Sequence, residues 1–175
     1  MTTPANSRQI PDHAILDYFG KQIYLGNQFH FVLSDIAITS TAEQMVALVT
    51  NPAVFGAPNN VSKGVFIAYR RISSLAQAGQ ARFYINPTVT SIGTPLDPVQ
   101  SRPASSTVPV SKWSIAPSVS ANGTLFSTLE VPSSYFISEE TTRTIILDPG
   151  QSMLITFIAD TGATTINLNI GFYEI

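Results

Sequence analysis

The sequence predicts an all-β fold, an antiparallel β-sandwich or barrel of about nine or ten strands preceded by an extended N-terminal arm. Three observations predict it. Short runs rich in Val, Ile, Phe and Thr recur along the chain, each closed by Gly, Pro, Asn or Asp. No stretch holds an apolar helical period long enough for a helix of ordinary length. Short, evenly spaced strands with Pro- and Gly-rich turns bury their apolar faces against a second sheet, or by closing on themselves.

Residues 1–19 read as the arm, polar and carrying Pro4 and Pro11, with Ile15, Leu16, Tyr18 and Phe19 to anchor its end. A single domain then runs over 20–175. Gln22–Leu25 is a short strand stopped by Gly26-Asn27. Gln28–Thr39 alternates, with Phe29, Phe31 and Leu33 on one face before the phase switches to Ile36 and Ile38. A one-residue slip moves the apolar set to the other face, so Ser34-Asp35 is expected to be a bulge. Gln44–Thr50 is nearly all apolar, as for a strand covered on both faces or a short helix after Thr41-Ala-Glu43; Asn51-Pro52 stops it after seven residues, which favours the strand. Asn51–Lys63 is a loop, and Gly64–Ile72 and Gln80–Asn86 are strands. Residues 86–112 hold five prolines. Proline has no donor for a central ladder, so this stretch reads as a long excursion over the surface. Lys112–Ala116, Thr124–Val131 and Arg143–Leu147 are further strands. Ser152–Ala159 and Thr165–Glu174 read as a closing hairpin turned by Asp160–Ala163, with Ile166, Leu168, Ile170 and Phe172 on one side. No fixed-period repeat stands out.

The chain has 175 residues, a formal net charge of −2 and only 11% charged residues. A globular chain usually carries about 25%. Low charge favours association, so part of the surface is expected to be covered by further copies. Only Arg70-Arg71 are adjacent basic residues, which leaves no electrostatic footprint for nucleic acid. The absence of Cys excludes disulfides and thiol chemistry. The polar N-terminus is not expected to be a secretory signal, and no apolar run is long enough for a membrane-spanning helix.

Asp160-Thr-Gly162 spells the aspartic-protease loop, in which two carboxylates share a proton and activate water. That fold needs a flap and a second hydrophobic segment after the loop, where only Ala163–Ile175 follow here, so the triplet is expected to be a turn with Gly at positive φ. His13 and His30 lack the spacing of a metal or triad site. A solvated His13 and a half-buried, hydrogen-bonded His30 are expected. Aromatic rings can stack on sugars, and Trp113 and Tyr135, beside loops, are the candidate ligand residues. Arg70 and Arg71 are candidates for an interface; neighbours on a strand point to opposite faces, so at most one serves any one surface. Asn60-Val-Ser62 and Asn122-Gly-Thr124 read as turn sequences. No catalytic residue, metal site or cofactor is expected.

The ordered segments Glu43-Gln-Met-Val-Ala-Leu-Val-Thr-Asn-Pro52, Gly64-Val-Phe-Ile-Ala-Tyr-Arg70, Asn86-Pro-Thr-Val-Thr-Ser-Ile-Gly-Thr-Pro-Leu-Asp-Pro98, Leu147-Asp-Pro-Gly-Gln-Ser-Met-Leu-Ile155 and Phe172-Tyr-Glu174 together resemble small jelly-roll virion structural proteins of tailed bacteriophages and other double-stranded DNA viruses. The loop ending at Ser62-Lys63 departs from the Ser-Gly-Lys of that family. The resemblance implies a sandwich of jelly-roll type and a capsid-associated, decoration or fibre/spike-type subunit without catalysis, made in a host cytoplasm. It implies a homo-oligomer, trimer favoured; we expect residues 1–19 to reach other virion proteins. A carbohydrate-binding adhesion module for a host glycan, on the same fold, is the alternative.

Overall fold

The computed structural model describes residues 27–52, 64–134 and 136–174; the side chains of Phe136 and of 138–144 lie outside that description. The arm, the strand expected at Gln22–Leu25, His13, most of the 51–63 loop and Tyr135 also lie outside it. Thirteen strands run through the described residues: β1 (Gln28–Ile38), β2 (Gln44–Thr50), β3 (Val65–Ser74), β4 (Gly79–Ile85), β5 (Thr88–Ser91), β6 (Thr94–Pro95), β7 (Val99–Gln100), β8 (Lys112–Ile115), β9 (Ser118–Ala121), β10 (Thr124–Val131), β11 (Phe136–Leu147), β12 (Ser152–Ala159) and β13 (Thr164–Glu174). They form a five-stranded sheet, β11-β3-β13-β1-β7, a six-stranded sheet, β10-β4-β12-β2-β8-β6, and a separate β5-β9 ribbon. The strand pairings are antiparallel, so the molecule is an all-β sandwich.

Period-two patterning places the core between the sheets. Phe29, Phe31 and Leu33 of β1 lie beside Ile166, Leu168, Ile170 and Phe172 of the neighbouring β13, and together they pack on the inner residues of β2, β4 and β12. The phase switch in β1 is a bulge: its register with β13 shifts between Leu33 and Ile36, and Asp35 takes φ 57°. β2 is covered on both faces, as its composition predicts. Val46, Ala47 and Val49 enter the main core, while Leu48 joins Tyr84 and Leu154 in a second cluster on the outer side. Val89 of β5 and Val119 of β9 roof that cluster.

The last two strands do not form the hairpin expected of them. β12 pairs with β2 and β4 in one sheet, and β13 with β1 and β3 in the other. Asp160–Ala163 therefore carries the chain across the sandwich. This connector is stitched to the β3–β4 turn: Asp160 N donates to Ala78 O (2.9 Å), and the Thr164 hydroxyl accepts from Ala76 N and Gln77 N, both at 3.2 Å. Gly162 does take a positive φ, 146°.

The 86–112 stretch is exposed in large part but is not plain loop. β6 and β7 within it pair as edge strands with β8 and β1. Pro95 sits in the edge strand β6, a position where a missing donor costs no ladder bond. β9 and the first half of β11 were not expected from sequence. A short duplication links these parts. Ile85-Asn-Pro-Thr-Val-Thr-Ser-Ile-Gly-Thr-Pro95 matches Ile115-Ala-Pro-Ser-Val-Ser-Ala-Asn-Gly-Thr-Leu125. Equivalent positions share conformation: Asn86 and Ala116 take φ 54° and 49°, Gly93 and Gly123 take 78° and 87°. The β5-β9 register is symmetric under the same correspondence, with Val89 opposite Val119, Thr88 opposite Ala121 and Ser91 opposite Ser118.

Candidate functional site

A cleft of about 400 Å³ lies at the β7/β6 edge of the sandwich. Strands β1, β2 and β8 and the 92–111 segment, with its edge strands β6 and β7, build it. β1 supplies Phe29, β2 supplies Leu48 and Thr50, and β8 supplies Lys112, Trp113 and Ser114. The 92–111 segment forms the roof, with Leu96, Pro98, Val108 and Pro109 among its lining residues. Prolines hold such a roof without needing backbone donors, and their fixed φ limits how far it can collapse.

One carboxylate fixes the roof. Glu174, 2% exposed, accepts from Val110 N (2.7 Å), Ser111 N (2.8 Å) and the Ser111 hydroxyl (2.6 Å). The same Ser111 oxygen accepts from Trp113 Nε1 at 3.1 Å. Buried charges persist when hydrogen bonds saturate them, and here a single side chain does so by ordering a loop 64 and 63 positions away in sequence. The terminal Phe172-Tyr-Glu174 is thus both core and clamp. Sequence reading missed Glu174; a lone carboxylate at the end of an apolar strand, with no charged neighbour, is the signal that marks it.

Trp113 reaches the cleft, but not as an open platform. It is 2% exposed, and its ring lies against Phe31 (centroids 4.5 Å) and Phe172 (4.8 Å). Both partners lie in the core, so no exposed aromatic face remains for a sugar to stack on. Arg70 and Arg71 diverge as their adjacency requires. Arg70, 1% exposed, lies between the sheets, its guanidinium 4.3 Å over the Phe83 ring and donating to the Ser127 hydroxyl at 2.6 Å. Arg71 is exposed on the outer face of the five-stranded sheet, 4.7 Å over the Tyr69 ring.

That outer face holds a second, shallower groove of about 260 Å³, lined by Val32, Arg71, Ser73, Asn167 and Asn169 among others. Beside it the Tyr69 hydroxyl hydrogen-bonds to His30 Nδ1, the satisfied histidine expected from sequence. The Tyr69 ring covers Gly171, where an added Cβ would lie 2.2 Å from a ring carbon. Burial, then the Arg71 guanidinium, pushes the His30 imidazole below its ordinary range. Burial pushes the Tyr69 phenol up, and the Arg71 charge opposes this.

A third cluster ties the β5-β9 ribbon down. Glu43 accepts from the Tyr84 hydroxyl (2.8 Å), the Thr156 hydroxyl (2.5 Å) and Asn122 Nδ2 (3.2 Å). Asn122, whose Gly-Thr context reads as a turn, uses its amide inward. Asp160 lies exposed on the inter-sheet connector. Among the described residues no three His, Cys, Asp or Glu side chains gather as a metal site, and no helix is long and apolar enough to cross a membrane. No family model matches this chain, and no curated protein matches it.

Proposed function

We propose that this chain is a non-enzymatic structural subunit of a virus particle, built on a jelly roll and working by self-assembly and docking of its N-terminal arm. The carrying observation is the strand pairing. β1 pairs with β13, β2 with β12, β3 with β11 and β4 with β10. Successive strands β1 to β4, and again β10 to β13, alternate between the sheets. A long two-stranded ribbon rolled up on itself would have this order, and that supports the jelly-roll reading. The low charge of the chain adds support, together with exposed Val32, Leu125, Phe126 and Ile146, since apolar surface of this kind is covered in assemblies. Light scattering on the purified protein tests the reading. A closed oligomer, trimer favoured, is expected; a stable monomer at micromolar concentration that also fails to join any particle overturns it.

A glycan-binding role is the second reading, favoured by the outer-face groove. Asn167, Asn169, Ser73 and Arg71 offer polar groups beside an apolar Val32, the mix that sugar recognition uses. Trp113 is not available for it, and the proposal passes to Arg71 and Tyr69. Binding on a glycan array that is lost in Arg71→Ala supports this role, and silence on a broad array removes it.

A further inference from the structure

We propose that the cleft beneath the 92–111 roof is the receptor for the arm, and that it takes the apolar segment Ile15-Leu16-Asp17-Tyr18-Phe19 of this same chain species. The inference deepens the arm-docking half of the reading above and rests on it. Three observations carry it. First, the cleft is preformed: the Glu174 carboxylate fixes Val110 and Ser111, so the roof stands clear of Phe29, Leu48 and Trp113 beneath it. Second, its walls are mainly apolar, with Leu96 and Val108 exposed at 37% and 76%. Exposed large apolar side chains on a fixed loop mark a contact surface.

Third, the described chain begins on the rim. Asn27 O accepts from Glu174 N (3.1 Å) and Gln28 O accepts from Ser101 N (3.0 Å). Asn27, the first described residue, therefore sits beside the clamp that holds the roof. From Asn27 back to Phe19 is a short tether, with an extended reach of roughly 28 Å at about 3.5 Å per residue. That span reaches the cleft of the same copy or of a copy packed against it. Within residues 1–19 only Ile10, Ala14, Ile15, Leu16, Tyr18 and Phe19, besides Met1 and Ala5, are apolar or aromatic, and four of them fall in the one segment. A pocket of this size holds a few large side chains, and an anchored segment docks with the effective concentration of its tether.

The chain has no Cys, so an introduced pair is the only thiol pair present. The full-length Leu16→Cys/Leu96→Cys protein is oxidised and compared with Leu16→Cys/Thr161→Cys, whose second site lies on the exposed inter-sheet connector. The cleft pair is expected to cross-link at least about tenfold faster, as for a docked segment against a free one. Trp113, the only tryptophan, reports the same event: Leu16→Asp/Phe19→Asp is expected to shift its emission. A cross-link between chains supports both the cleft and the assembly reading. A cross-link within a monomer supports the cleft and removes the arm from assembly. Equal rates for the two pairs, with Trp113 emission unchanged, overturn the cleft as receptor even if the protein assembles.

Discussion

Single side chains in this molecule hold distant segments, and the consequences are measurable. Glu174 makes three charge-assisted hydrogen bonds to Val110 and Ser111 from a buried position. Removing it leaves the buried Ser111 N–H and the partly buried Val110 N–H without their acceptor, so Glu174→Ala is expected to lower the unfolding free energy by about 1–3 kcal/mol. Glu174→Gln keeps one acceptor oxygen and should lose less; denaturant midpoints compare the three proteins. His30 gives a pH prediction. Its folded-state pKa is depressed by burial and by Arg71, so the unfolded chain binds the proton more readily than the folded one. The stabilisation is fully present above the ordinary histidine value and is lost as pH falls below about 6.5 toward the folded value. Thermal stability should therefore fall between pH 7 and 5.5, and His30→Gln should flatten that slope. An unchanged slope in the variant would assign the loss to other groups.

At the scale of elements, the duplicated turns make a paired test. A Cβ on Gly93 would lie 2.1 Å from Ile115 O, and one on Gly123 would lie 2.4 Å from Ile85 O, both at positive φ. Each contact is with backbone that cannot step aside. Gly93→Ala and Gly123→Ala are each expected to cost about 1–3 kcal/mol, similar to one another because the two sites are conformational copies. Gly162→Ala meets nothing within 4 Å and should cost less despite its φ of 146°. The same elements show what a sequence can carry. Strand positions such as Ser152–Ala159, the Ser34-Asp35 bulge and the double burial of Gln44–Thr50 follow from local period and composition, which one chain segment expresses alone. Pairing does not. A short polar turn between two strands serves a hairpin or an inter-sheet crossing equally well, and Asp160–Ala163 proved to be the second. The distinguishing signal lay in the strands: Ser152–Ala159 is apolar on both faces, Thr164–Gly171 on one, so the two face different surroundings. The cleft was legible only in part. Trp113 and the Pro-rich roof stood out by type, whereas the clamp on Val110 and Ser111 depends on a tertiary contact that no local pattern encodes.

For the whole molecule, the proposed assembly needs a surface that another copy can cover and a force to hold it there. β10 is an edge of the six-stranded sheet, and an open edge invites strand addition. Its register with β4 shifts between Leu125 and Ser127, a bulge that breaks the ladder at Phe126. Backbone pairing with a neighbour is therefore blocked there, while Leu125 and Phe126 stand 50% and 47% exposed side by side. Contact at this edge would run through side chains rather than through the ladder. With only 11% charged residues and a net charge of −2, electrostatics can add little to it. Association held by apolar burial survives salt that screens exposed charge pairs. The native mass is thus expected to stay constant from low salt to about 1 M, where the Debye length is only about 3 Å. Leu125→Asp/Phe126→Asp is expected to lower the mass to that of a smaller species while the circular dichroism of the sandwich is kept, since both side chains are exposed in the single chain. A mass that falls with salt instead, and is unmoved by the double substitution, would place the interface on charged groups elsewhere.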